Sequence, residues 1–177
     1  MNDKGEKRKV SYCMQCGSRM VEKIPPGDDR PRLVCPSCGN ISYINPKLVV
    51  GTLPIVDGKV LLIRRGIEPR YGTWTYPGGF LEMGETTEEG ACRESREEAG
   101  IEVGNLKLHG IYNRPSYGVV TIVYLAEVIS GKPKPSSETL EVAFFSPSEI
   151  PWDELAFPTT VSALRDWVSS VESKIAR

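Results

Sequence analysis

The chain has 177 residues, 40% of them hydrophobic and 25% charged, with a formal net charge of −1. That length suits one globular core with a small appendage, and the near-neutral balance argues against a general nucleic-acid or membrane-surface binder. The start, MNDKGEKRKV, lacks the apolar core of a secretory signal, and no apolar run approaches the ~20 residues of a membrane span, so a cytoplasmic protein is expected.

Five cysteines are an odd number and argue against a closed set of disulfides. Four of them form C-x2-C pairs, Cys13 with Cys16 and Cys35 with Cys38, with 18 residues between the pairs. This spacing belongs to a four-thiolate structural Zn²⁺ site, because a two-residue gap lets one tight turn aim both sulfurs at a tetrahedral centre. Gly17 and Gly39 follow the pairs and supply the left-handed backbone such turns favour. Between them, Pro25-Pro-Gly-Asp-Asp29 separates two short strand candidates. About 40 residues bury too little apolar area to fold alone, so a metal staple is expected there. The predicted organisation is a zinc ribbon over residues 1–44, with a disordered basic start, and a larger domain over 45–177.

In that larger domain, Asp57-Gly58 between two apolar runs predicts a hairpin of strands at about 48–56 and 59–65. Pro77-Gly78-Gly79 reads as a turn that breaks regular structure. Leu106–Tyr112, Val119–Val128 and Val142–Phe145 are further strand candidates. Near the end, Val161, Leu164, Trp167, Val168, Val171 and Ile175 recur at helical spacing, with Thr159 or Thr160 as the N-cap.

The densest chemistry lies between Gly78 and Ile101, GGFLEMGETTEEGACRESREEAGI. Thr86 and Glu89 form a capping box and Gly100 a stop, which predicts a helix over about Thr87–Ala99. On a 100° wheel Glu94, Glu97 and Glu98 share an arc of about 100°, with Gly90 among them. Ala91, Cys92, Ser95 and Ala99 make a small-residue packing face, Cys92 as a small buried hydrophobe, while Arg93 and Arg96 point away. Repulsion between such glutamates costs ~0.2–0.5 kcal/mol per pair, so energy alone does not exclude a solvated acidic face. The nearby Gly-rich turn, Glu85 and Gly90 favour a cluster of hard oxygen ligands for Mg²⁺ or Mn²⁺.

Gly79-x5-Glu85-x7-Arg93-Glu94-x2-Glu97-Glu98-x-Gly100-Ile101 resembles the signature box of the Nudix hydrolases at every fixed position, with Ser95 where that family usually has an aliphatic residue. The ribbon cysteines, Tyr43-x-Asn45-Pro46-Lys47, Trp74-x2-Pro77 and Glu149–Phe157 extend the resemblance to zinc-ribbon members, in particular plant FAD pyrophosphatases and ADP-ribose pyrophosphatases. The resemblance implies an α/β fold, a Nudix-type α/β/α sandwich with a mixed β-sheet behind a small zinc ribbon. It implies metal-dependent hydrolysis of a pyrophosphate joining a nucleoside to another group, most directly FAD or ADP-ribose-like dinucleotides. It also assigns roles: Glu94, Glu97 and Glu98 hold Mg²⁺, two or more ions being possible, and the main-chain oxygen of Gly78 joins them. Arg93 pairs with Glu85. The general base is a box glutamate or a downstream one, Glu138 or Glu141, with Glu141 the named candidate.

Arg70, Tyr71, Arg114 and Tyr117 are the candidate substrate-binding residues, able to stack on or hydrogen-bond an adenine or ribose. Trp74 and the single histidine, His109, read as packing residues. NADH pyrophosphatases also carry a ribbon, but their SQPWPFP-type segment is replaced here by YNRPSYGVVTIVY. NADH/NAD or RNA-cap hydrolysis stays open, as does a homodimer. A zinc-ribbon nucleic-acid-binding regulator is the reading from another class, with the basic KGEKRK segment contacting phosphates.

Overall fold

A computed structural model describes residues 12–175, without the side chains of residues 174 and 175; the basic start and Ile175's place in the apolar stripe lie outside what is described. The chain divides into two compact units between Pro46 and Lys47.

In the first unit, strands β1 (Val21–Lys23), β2 (Arg32–Val34) and β3 (Ile41–Ser42) form an antiparallel sheet in the order β1-β2-β3. The two cysteine pairs sit in matching turns. Gly17 N–H donates to Cys13 O at 2.8 Å and Gly39 N–H to Cys35 O at 3.0 Å. Both glycines have positive φ, 73° and 77°, a conformation that a side chain would strain. Arg32 pairs with Asp28 across the Pro25–Asp29 turn at 2.8 Å, which holds the Asp28 carboxyl down at about 2.

The second unit is built on a mixed sheet. Strands β4 (Lys47–Val56) and β5 (Lys59–Arg65) form the hairpin predicted from Asp57-Gly58. Two short strands follow, β6 (Trp74–Thr75) on β5 and β7 (Gly78–Phe80) on β4. The segment expected to be only a turn therefore contributes pairing, because Gly78 and Gly79 lie directly beside Gly51 and Val50. Helix α1 (Thr87–Ala99) comes next, then β8 (Ile101–Arg114), β9 (Val119–Gly131) and β10 (Thr139–Phe145). The main path runs β10-β5-β4-β9-β8, with β4 and β9 parallel and the other neighbours antiparallel.

Helix α2 (Pro158–Ile175) ends the described chain. It starts earlier than the threonine caps predict. Pro158 occupies the first helical position, where the missing N–H costs nothing, and the Thr160 hydroxyl inside the first turn is bonded to Thr75 at 2.9 Å. Leu53, Val60, Leu62 and Val123 pack under Leu164 and Trp167 of α2, whereas Val50 and Tyr124 pack under Ala91 of α1. The sheet is thus sandwiched between the two helices.

His109 Nε2 lies 2.9 Å from the Ala163 carbonyl, a packing role as expected. Cys92 is half-buried beside the cluster of Leu61, Ile63 and Ile101. Ser95 is fully buried, and its hydroxyl meets Thr52 at 2.8 Å and Ala91 O at 2.9 Å, so a polar pair fills the site where an aliphatic contact was the norm.

Candidate active site

Helix α1 begins as its sequence dictates. Thr86 accepts from Glu89 N–H at 3.2 Å and Glu89 accepts from Thr86 N–H at 2.8 Å, while Gly100 closes the helix at φ 68°. Two glycines let the helix and the preceding loop approach the sheet. A Cβ on Gly79 would fall on the Glu94 carboxylate, and one on Gly90 would meet Leu81 at 2.8 Å and Val50 at 3.0 Å. Gly90 is therefore a bare backbone at a close contact, which offsets its cost inside a helix.

Glu94, Glu97 and Glu98 converge, with Ser136, Ser137 and Glu138 from the segment before β10, on a cavity of about 340 Å³. Burial pushes the Glu98 carboxyl up to about 7, partly opposed by the Gly78 N–H that donates to it at 2.7 Å. Burial likewise raises Glu94. Two desolvated carboxyls and a third beside them form a set of hard oxygen donors, the kind that suits a divalent metal.

Arg93 does not point away. Its Nε and Nη2 grip Glu85 at 2.6 and 3.0 Å, its Nη1 reaches Glu94 at 2.8 Å and Glu97 at 3.1 Å, and Nη2 also donates to Phe80 O at 3.1 Å. The two-point grip on Glu85 is the expected pair, and it holds that carboxyl below its usual range. Arg96 does turn outward, to Glu102.

Gly78 contacts the cluster through its amide, which donates to Glu98 at 2.7 Å. Glu141 is exposed and lies 3.7 Å from Arg64, whereas Glu138 lines the cavity, so the structure moves the downstream candidate from Glu141 to Glu138. Arg65, nine-tenths buried at the end of β5, was not singled out from the sequence; its guanidinium interacts electrostatically with Glu98 and Glu138. The available signal was a second arginine ending an otherwise apolar strand, Val60-Leu-Leu-Ile-Arg-Arg65.

The four substrate candidates are not among the residues forming the cavity wall. Arg70 and Tyr71 are exposed on the loop after β5, where Arg65 Nε donates to Pro69 O at 2.9 Å and the Thr73 hydroxyl donates to Arg70 O at 2.6 Å. Arg114 and Tyr117 occupy the β8–β9 turn, with the guanidinium 4.5 Å from the ring centre.

In the ribbon the four sulfurs lie within 4.8 Å of one another, with Cys13 and Cys38 at 3.7 Å and Cys16 and Cys35 at 3.4 Å. A tetrahedron with Zn–S of about 2.3 Å has sulfurs about 3.8 Å apart, so the cluster fits a four-thiolate metal site and not disulfides. Hydrogen bonds from Ser18 pull the Cys16 thiol down to about 6, and Asn40 Nδ2 donates toward Cys13 Sγ at 3.6 Å.

A capped acidic helix beside a glycine-paired loop, on a mixed sheet between two helices, defines a metal-assisted hydrolase of the Nudix class. Residues 45–167 match the NUDIX domain model and residues 11–44 the Nudix N-terminal zinc-ribbon model, so the chain belongs to the Nudix hydrolase family. It is similar to the ADP-ribose pyrophosphatase of Methanocaldococcus jannaschii, 37% identical over 65% of this chain and 69% of the relative. It is also similar to the NAD-capped RNA hydrolase NudC of Pseudomonas aeruginosa, 35% identical over 79% of this chain and 49% of the relative; the match thus spans about half of that longer protein. Among solved structures, a Nudix hydrolase from Nitrosomonas europaea superposes with a TM-score of 0.87 at 38% identity, covering 93% of each chain. Among the described residues no helix is long and apolar enough to cross a membrane.

Proposed function

We propose that the protein hydrolyses the pyrophosphate bond of a nucleoside diphosphate linked to a second group, with ADP-ribose as the leading substrate and FAD the next, using Mg²⁺ or Mn²⁺. The observation that carries this reading is the convergence of Glu94, Glu97, Glu98 and Glu138 on one cavity. The similarity to an ADP-ribose pyrophosphatase over two thirds of each chain supports the substrate.

Glu94, Glu97 and Glu98 would hold the divalent ion, which when bound would neutralise phosphate oxygens and acidify a water. Arg93 fixes Glu85 and the loop against α1, so the carboxylates stay aimed while the substrate enters. Glu138 takes the proton from the attacking water as oxygen joins one phosphorus and the bridging P–O bond breaks toward the other phosphate. Ser136 and Ser137 offer hydroxyls to the phosphate oxygens from the same wall. Arg70, Tyr71, Arg114 and Tyr117 serve the nucleoside and its partner group. The ribbon, residues 1–44, binds a structural Zn²⁺, and residues 45–177 carry the hydrolase.

The similarity to an NAD-capped RNA hydrolase favours a second arm in the substrate panel. Incubation of ADP-ribose, FAD, NADH and NAD-capped RNA with Mg²⁺, followed by chromatographic identification of products, tests the reading. AMP released from ADP-ribose or FAD, with a loss of at least ~100-fold in Glu98→Gln, is expected. Equal turnover in the variant, or no cleavage of any pyrophosphate, contradicts it.

A further inference from the structure

Glu138 sits in the turn that leads into β10, and both of its main-chain polar groups are held. Gly66 N–H, one residue past the end of β5, donates to Glu138 O at 2.7 Å. Glu138 N–H donates to Ser136 Oγ at 3.2 Å, and that hydroxyl donates in turn to Thr139 Oγ1 at 3.3 Å. Thr139 is 3% exposed and pairs with Arg65, the last residue of β5. A buried threonine on the sheet thus anchors, through Ser136, a turn that would otherwise have the freedom of a surface loop.

Gly66 is suited to this contact by what it lacks. A Cβ there would lie 3.1 Å from both the carbonyl carbon and the oxygen of Glu138, and 3.2 Å from Thr139 N. All three are main-chain atoms, which no change of rotamer can move aside. The φ of Gly66 lies outside the left-handed region, so the neighbouring chain and not its own backbone excludes a side chain. Just beyond the turn the pairing slips, with Thr139 against Arg65 and Glu141 against Arg64. The grips at Gly66 and Thr139 therefore fix the chain where it joins the ladder, and leave Glu138 on the cavity with Glu94, Glu97 and Glu98.

We propose, resting on the pyrophosphatase reading with Glu138 as general base, that Gly66 and Thr139 are positioning residues of that base. Gly66 holds the Glu138 carbonyl, and Thr139 holds its amide by way of Ser136. Neither residue is part of the cavity wall. A base has to meet its water within hydrogen-bond reach, so a small displacement of the Glu138 main chain carries to the carboxylate. Such a shift costs rate, because the geometry of proton transfer is lost, and leaves substrate affinity nearly unchanged.

Double-mutant cycles on the zinc-loaded enzyme with ADP-ribose and Mg²⁺ test this. Gly66→Ala and Thr139→Val are each expected to lower kcat about tenfold while KM moves less than about threefold, and Thr139→Ser to restore most of the loss. Glu138→Gln alone is expected to lose at least ~100-fold and Glu141→Gln less than about threefold. In the Glu138→Gln background the Gly66→Ala and Thr139→Val effects should shrink below about twofold, because a residue acting through Glu138 has nothing left to position. Mn²⁺ affinity by electron paramagnetic resonance should stay within about threefold of wild type in both variants; a larger loss would place the defect in the acidic cluster and overturn the proposal. Gly66 and Thr139 lie on different segments, so one variant failing to fold leaves the other to decide. Wild-type turnover in folded Gly66→Ala or Thr139→Val, or losses that multiply undiminished on Glu138→Gln, overturn the positioning role while an impaired Glu138→Gln keeps the base. Wild-type turnover in Glu138→Gln removes the base and the positioning role together, and a wild type that cleaves no pyrophosphate removes the pyrophosphatase reading beneath both.

Discussion

Glu98 concentrates the electrostatics of the site. It is 7% exposed, receives one backbone N–H, and burial lifts its carboxyl from 4.5 to about 7. For a group whose folded pKa is raised, the associated stability is complete below about 4.5 and declines as pH rises through about 7. The zinc-loaded, Mg²⁺-free protein is therefore expected to lose on the order of 3 kcal/mol over that window from this residue alone. Thermal melts of wild type and Glu98→Gln at pH 5 and pH 7.5 check this: the variant's pH dependence should be flatter, and adding Mg²⁺ should steepen the difference in favour of wild type. Identical pH slopes would mean that Glu98 is solvated. The shared arc of Glu94, Glu97 and Glu98 was legible in the sequence because helical periodicity fixes where each Cα points. The turn of Arg93 toward them was not, because a long guanidinium can fold back across the helix surface to meet charge.

At the scale of elements, α1 was legible to the residue because its start and stop are local. The capping box and Gly100 need only their own neighbours. Replacing Thr86 by alanine removes the acceptor for Glu89 N–H and is expected to cost ~1 kcal/mol, read as a lower denaturant midpoint, while Thr86→Ser keeps most of it. A midpoint unchanged in Thr86→Ala would show that tertiary contacts alone hold the first turn. Strand β7 was illegible for the opposite reason. Gly78 and Gly79 have little strand preference of their own and pair because β4 offers Gly51 and Val50 as close neighbours far away in sequence. The choice between Glu138 and Glu141 depended on pairing as well. A register shift between Thr139 and Glu141 sets Thr139 against Arg65 and Glu141 against Arg64, leaving Glu138 at the cavity.

Across the whole molecule, the two units take their stability from different sources. The larger one has helices on both faces of a sheet; the smaller one has a cluster of little more than Cys13, Met20, Cys35 and Leu33. Binding of structural zinc contributes ~10 kcal/mol in comparable small sites, more than such a cluster can supply. Chelation is expected to abolish amide-exchange protection between residues 13 and 42 while leaving the strands of the larger unit protected; retained protection in the ribbon would contradict a metal-held fold. Cysteine spacing made this unit legible, since four ligands at fixed intervals allow few arrangements.

The most direct test of the central claim is a Mn²⁺ titration followed by electron paramagnetic resonance on the zinc-loaded protein. The account predicts saturable binding in wild type that weakens at least ~10-fold in Glu97→Gln and Glu98→Gln, because each removes a ligand charge from the cluster. Equal Mn²⁺ affinity in wild type and both folded variants would contradict it.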